Sequence, residues 1–587
     1  MASLFNILPE ELILEIAQNS TKDTLAAFVG TSKDAWRIGH PVLYALTREQ
    51  QRRVFKWAGY HRQERTMGYL LDGILEQHKT NPQVGYEALI SACRGGCAKI
   101  VSRLLSEGVT PDFGSTQRRV RFRSDTPLTA AISNSHMDII QMLITAKANP
   151  NRRRLGNTPM ISAARGGNVA VIKLLLQHGA SPAMSCDDTC PLFESAGNGH
   201  LAATDALLAA GAHVNDEMGH TCALMEATRG GHTDIMKLLL QFGADPETRL
   251  QWSHPLSVAS RLGNLEAMKI LIAEGAKVNI HAMGEDPPVP LWEATRYNQV
   301  DAVLLLVDSG ATECDRSPWW LLSQYDGKFS QLPLVAATWG STDVLRLFIS
   351  KGFDINTLGD HERSALSLAV ENGHTDCVNL LLDKGADVNT IDISGWTPLS
   401  YTENVEIVQA LLKKGANMYI SDKTGRSPLH WAASGNRAEV IKALLAADPS
   451  GASTLQQTRI KGETPLMLAI AHGCTEAIEV LVAEGTSIHQ KDRKGRTALI
   501  IAATHLNVGA ARLLLEKGAD PDAADYYGAT ALMHACWEGI TELARLLLEK
   551  GCDVSRTNKD GKNAQDHVLP YAPAELQELI VNAMGLV

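Results

Sequence analysis

Apolar residues recur along this chain in short helical phrases separated by glycine-centred breaks. In RSALSLAVENGHTDCVNLLLDKGADVN (363–389), Leu366, Ala369 and Val370 fall at i, i+3 and i+4 and make one apolar helical face. Gly373-His374 interrupts the period, glycine supplying turn dihedrals and histidine a ring that hydrogen-bonds to nearby backbone. A second phrase follows, with Val378, Leu381 and Leu382 as its buried stripe. Gly385 stands where a helix C-terminus wants a positive φ, and Ala386-Asp387-Val388-Asn389 leads into a turn rich in Asx chemistry. The pattern predicts helix, tight turn, helix and connection. A unit this small cannot bury its own apolar faces, so its neighbours must stack on it.

The phrase returns at a near-constant interval. Leu128, Met160, Leu192, Leu224 and Leu256 stand 32 residues apart, and Leu466, Leu499 and Leu532 stand 33 apart, a helix-turn-helix repeat length. Matching the template gives about fourteen units. They begin near Tyr86, Asp125, Asn157, Thr189, Thr221, His254, Val289, Gln331, Arg363, Trp396, Arg426, Glu463, Arg496 and Ala529. The pattern resembles the ankyrin repeat, which implies an all-α fold, a curved solenoid, and protein binding as its use. On this reading residues 84–560 are the repeats. Residues 48–83, with VFKWAGY (54–60) and YLLDGILEQ (69–77), are a helical connector or degenerate repeat, and 561–587 supply C-terminal capping helices.

Composition narrows the function. The 587 residues carry a net charge of -10, so the chain as a whole has no electrostatic drive toward nucleic acid or an anionic membrane, and neither is expected as a partner. The ten cysteines are scattered, which predicts reduced thiols in a cytoplasmic or nuclear protein. The opening MASLFNILPEELILEIAQ has acids where a secretory signal carries lysine or arginine, and no stretch reaches the roughly 18 apolar residues that span a bilayer. Phosphate-loop, nucleophile-elbow, metal-ligand-helix and kinase motifs are all missing from the sequence. A non-catalytic binding protein without a cofactor is expected.

The first residues break the period. In LFNILPEELILEIAQNSTKDTLAAFVGTSKDAWRIGHPVLYAL, Leu8, Leu12 and Ile16 share one helical face, with Pro9 in the first turn and Glu10 and Glu11 where the helix dipole favours acids. Thr21 or Asp23 can cap a second helix carrying Leu25, Phe28 and Val29, and Ser32 a third carrying Trp36. This trihelical unit, residues 3–47, resembles an F-box. Leu8-Pro9-Glu10-Glu11-Leu12 matches the family's opening, Ile16, Leu25 through Val29 and Trp36 its later anchors, and Leu43-Tyr44 its closing apolar pair. Gly30-Thr31, ahead of Ser32-Lys33, departs from the residues many members carry there. The resemblance implies docking on the linker subunit of a cullin-RING ubiquitin ligase through Leu8, Pro9, Leu12, Ile16, Leu25, Phe28 and Trp36, with the repeats presenting a substrate. The alternative is a ligase-independent scaffold in which these helices only cap the stack.

Elsewhere, chemistry is weighed against the repeat. Arg-Gly-Gly at 94–96, 165–167 and 229–231 occupies one register, so its glycines read as turn residues. Arg261 and Arg296 continue that register. Cys93 and Cys97, and Cys186 and Cys190, lack the further ligands that zinc needs. His200, His232 and His374 belong to the Gly-His turn and read as structural. Two neighbouring connections are strongly basic: Arg118, Arg119, Arg121 and Arg123, then Arg152, Arg153 and Arg154. They are candidates for an acidic or phosphorylated partner, against the alternative of solvated loop charge. Trp319 and Trp320 stand in an insertion after Gly310, as a binding hot spot or as a plug for the interrupted stack. The unit at Trp396 runs through Tyr401-Thr402-Glu403-Asn404 without the usual glycine turn, and a local irregularity is expected there.

Overall fold

The computed structural model describes residues 48–112, 125–153, 156–186, 189–217, 221–248, 254–279, 289–311, 332–448 and 461–585. These residues form helices joined by turns, and among them β-pairing is confined to isolated bridges such as Cys186–Thr189 and Ala524–Thr530. The fold is all-α and built of stacked helix-turn-helix repeats. No helix of the described residues is long and apolar enough to cross a membrane. Residues 1–47, and with them Leu8, Pro9, Leu12, Ile16, Leu25, Phe28 and Trp36, lie outside the described residues. So do Arg118, Arg119, Arg121, Arg123, Arg154, Trp319 and Trp320.

The chain divides into two compact units, Met1–Val278 and Asn279–Val587. Within each, the first helix of a repeat packs on the first helix of the next, and the second on the second. Alanines such as Ala163, Ala369 and Ala502 are fully buried there, since a methyl side chain lets neighbouring backbones approach.

The repeat starts sharply where two local signals agree. A threonine or serine in extended conformation caps the first helix, as when Thr158 accepts the Ile161 N–H at 3.1 Å and Thr464 the Met467 N–H at 3.2 Å. Proline occupies the first helical position of Pro159–Arg165 and Pro465–Ala471, where its missing N–H costs nothing and its fixed φ suits the helix.

The Gly-His turn proves to be a clasp between repeats. His136, His200, His232 and His374 each place Nε2 at 3.0–3.2 Å from a carbonyl ending the first helix of the preceding repeat: Arg94, Arg165, Gly197 and Thr338. The imidazole lies over that repeat's turn glycine, and a Cβ on Gly167 would sit 2.5 Å from His200 Nδ1. Gly167 also has φ +63. At the other edge, Asn389 Nδ2 donates to Gly415 O at 3.2 Å and its Oδ1 accepts the Asn417 N–H at 2.7 Å, so the Asx turn links repeats as well as turning the chain.

The described array starts and ends on irregular pieces. The sequence pair at 54–60 and 69–77 falls on helices Arg48–Tyr60 and Glu64–Thr80, which bury Phe55, Met67, Leu71 and Ile74 and pack on Pro82–Gly95. Gly59 is obligatory in that contact, because a Cβ would come within 2.4 Å of Ser91 O. At the far end a 3-10 turn, Gln565–His567, and helix Ala574–Gly585 cover the last repeat, with Leu576 and Ile580 buried.

Candidate functional site

The expected irregularity at Trp396 is present, and it makes a hollow. The first helix of this repeat, Pro398–Tyr401, has 4 residues, whereas Pro428–Ser434 in the next repeat has 7. Its second helix starts at Val405, so three residues, about one helical turn, are missing from the interval found between Pro428 and Ala438. The deletion opens a cavity of about 890 Å³.

Aromatic rings form its floor. Trp396 packs on Tyr401 at 4.9 Å and on Trp431 at 4.2 Å between ring centroids. The Tyr401 hydroxyl donates to Asp392 Oδ2, and burial, reinforced by that acceptor, pushes the phenol well above its ordinary range. Asp392 also accepts the N–H groups of Ser394 and Trp396, both at 2.8 Å, which holds the adjoining hairpin tip.

Two arginines stand on the walls. Arg363 stacks 4.9 Å above the Tyr401 ring and donates to Glu371 at 2.6 Å. Arg437 occupies the helix-start position that histidine holds in the clasped repeats. With one turn of the preceding helix gone, a longer side chain is needed to reach its end: Arg437 Nη1 donates to Thr402 O at 3.2 Å and Nη2 to Glu403 at 2.8 Å. Nothing in the sequence near Arg437 announces this, because its acceptor lies in another repeat. The arrangement is suited to recognition: ring faces for an apolar side chain, with charged groups of both signs on the walls to hydrogen-bond the polypeptide around it.

Other candidates from the sequence can be followed where they fall among the described residues. The Arg-Gly-Gly glycines Gly96, Gly167 and Gly231 all have positive φ, at +74, +63 and +71. Their arginines are held by acids: Arg94 by Asp125 at 2.8 Å, Arg165 by Glu194 through two bonds of 2.9 and 2.7 Å, and Arg229 by Glu226. In the same register Arg296 stacks 3.7 Å above Trp339, with Trp292 and Tyr297 alongside at 5.2 and 5.5 Å.

Of the basic connections, Arg152 turns back on Asp112, donating to its carbonyl at 2.8 Å and lying 3.6 Å from its carboxylate, while Arg153 is exposed. Arg152 thus ties its connection to the preceding repeat. Cys93, Cys97, Cys186 and Cys190 are buried and form no disulfide. Burial pushes Cys97 and Cys190 up to about 11, which leaves them protonated and unreactive at neutral pH. Among the described residues no group of His, Cys, Asp and Glu is arranged to hold a metal ion.

The family model for ankyrin repeats, described as three copies, matches residues 55–154, 89–186, 149–218, 181–250, 224–317, 332–416, 399–492 and 466–558. These placements span most of the chain, which belongs to the ankyrin-repeat family. Such an array is a protein–protein interaction scaffold. Among solved structures, the ankyrin repeat domain of Bcl-3, a member of the IkappaB protein family, is similar at 24% identity with a TM-score of 0.35, over 38% of this chain and 100% of that one. The human ASB11 ankyrin repeat domain is similar at 25% identity with a TM-score of 0.30, over 43% of this chain and 96% of that one. No curated protein matches the chain.

Proposed function

We propose that this protein is a substrate-recognition adaptor of a cullin-RING ubiquitin ligase, in which residues 3–47 dock on the linker subunit and the ankyrin repeats hold a protein substrate. The observation that carries the reading is Leu8-Pro9-Glu10-Glu11-Leu12, followed by Ile16, Leu25, Phe28 and Trp36, ahead of an ankyrin array. Its support from the fold is indirect: the first repeat is already covered by the helices Arg48–Tyr60 and Glu64–Thr80, so the apolar set of residues 3–47 is not required as a cap. The hollow beneath Arg363 and Arg437 is the proposed anchoring point for an apolar side chain of the substrate. The arginine-rich connections before Asp125 and Asn157 are a second proposed contact, for an acidic or phosphorylated segment. This role places the protein in the cytoplasm or nucleus.

The test is a pull-down of purified linker subunit by the full chain. Wild type is expected to retain it and the Leu8→Asp/Pro9→Ser variant to lose it. Failure of wild type to bind, or equal binding by the variant, leaves the ligase-independent scaffold.

A further inference from the structure

The hairpin tips between repeats sort their charges by side. In the tip at 491–496 Asp492 turns inward, accepting the N–H groups of Lys494 and Arg496 at 2.9 and 2.8 Å and pairing with the Arg496 guanidinium at 2.7 Å. It is 3% exposed. Asp525 does the same for Tyr527 and Ala529 at 2.8 and 2.9 Å, and Asn558 for Asp560 and Lys562, both at 3.0 Å. Lys461, Arg493, Lys494, Lys559 and Lys562 are exposed on these tips, with Asp560 as the exposed acid in the row among the described residues. The net charge of -10 hides this, because Asp492 and Asp525 count in it although their side chains are turned under the surface.

Backbone bonds join the tips into one ridge. Arg493 N donates to Lys461 O at 3.0 Å, Tyr526 N to Lys494 O at 3.0 Å, and Lys559 N to Tyr527 O at 2.9 Å. Tyr526 and Tyr527, 59% and 70% exposed, stand between the basic tips.

We infer that this ridge is a docking track for an extended acidic segment of a partner protein, with apolar residues between its carboxylates resting on Tyr526 and Tyr527. Each hairpin adds two strand widths, about 9.6 Å, and an extended chain advances about 3.3 Å per residue, so acidic side chains about three residues apart stay in step with the tips. The basic row is narrow: exposed Asp520 and Asp553 lie at the base of the same hairpins and exposed Glu538 on the adjoining helix. A broad polyanion such as a nucleic-acid duplex meets those acids, whereas a single extended peptide does not. The inference rests on protein capture by the repeats and is independent of ligase docking.

Fluorescence anisotropy with the full chain tests it, using a labelled peptide with glutamate at every third position and leucine and serine between. The comparison probes are a peptide of the same composition with its glutamates contiguous, and an oligothymidylate. The spaced peptide is expected to bind best and to weaken with added salt. Lys494→Glu/Lys559→Glu should weaken it by about tenfold or more, and Lys494→Gln/Lys559→Gln by less. Circular dichroism checks that both variants stay folded, and linker-subunit pull-down by the Glu variant should match wild type. No binding of the spaced peptide, unchanged binding by the folded Glu variant, equal affinity for the contiguous peptide, or tighter binding of the oligothymidylate would each overturn the inference.

Discussion

Histidine in this protein acts on a neighbour more than on itself. The His200 ring occupies the space that a side chain at Gly167 would need, so glycine is required there twice over, for its φ of +63 and for the ring above it. Gly166, next to it, has an ordinary helical φ of -85, and a Cβ there meets its first neighbour at 3.6 Å. Gly167→Ala is therefore expected to lower stability by about 1–3 kcal/mol, while Gly166→Ala is neutral or slightly stabilising; urea denaturation of the pair measures both. A different histidine gives a pH dependence. Burial holds His534 below its ordinary 6.5, although Asp525, 3.8 Å away, pulls the other way. The unfolded chain then takes up the proton first, so this contribution to stability is full above 6.5 and is lost as pH falls through the lower folded value. His534→Gln should flatten the fall in melting temperature below that pH.

At the level of the element, the short repeat is compensated one repeat later. Arg437→Ala unpairs the Thr402 carbonyl and is expected to cost about 1–3 kcal/mol by denaturant titration. Arg437→His, too short to span the missing turn, should recover little of this. With three alanines inserted after Tyr401 the gap closes, and Arg437→His should become nearly neutral, which a double-mutant cycle will read as strong coupling. The contrast explains what was legible in the sequence. The helix pairs, the turn glycines Gly167 and Gly373, the buried cysteines and the defect at Tyr401-Thr402 each depend on neighbours a few positions away. The bond from Arg437 to Thr402, the clasp from His200 to Arg165 and the joining of Lys494 to Tyr526 connect residues some thirty positions apart, where only stacking decides the partner. The buried face of Asp492 was hidden for a related reason: a charge count treats every acid as exposed.

For the molecule as a whole, stability is a sum over adjacent pairs of repeats within each unit. Damage should stay local. In native-state hydrogen exchange, Gly167→Ala is expected to reduce protection in the helices Pro159–Arg165 and Pro191–Gly197 and to leave Pro465–Ala471 and Thr541–Glu549 unchanged. The clasp also has a direction. In every histidine example the donor belongs to the later repeat and the acceptor carbonyl to the earlier one, as His136 to Arg94 and His374 to Thr338. During synthesis the acceptor helix emerges from the ribosome before the donor does. Each new repeat thus arrives at a surface that already presents its hydrogen-bond partner, and the array can be locked in the order in which it is translated.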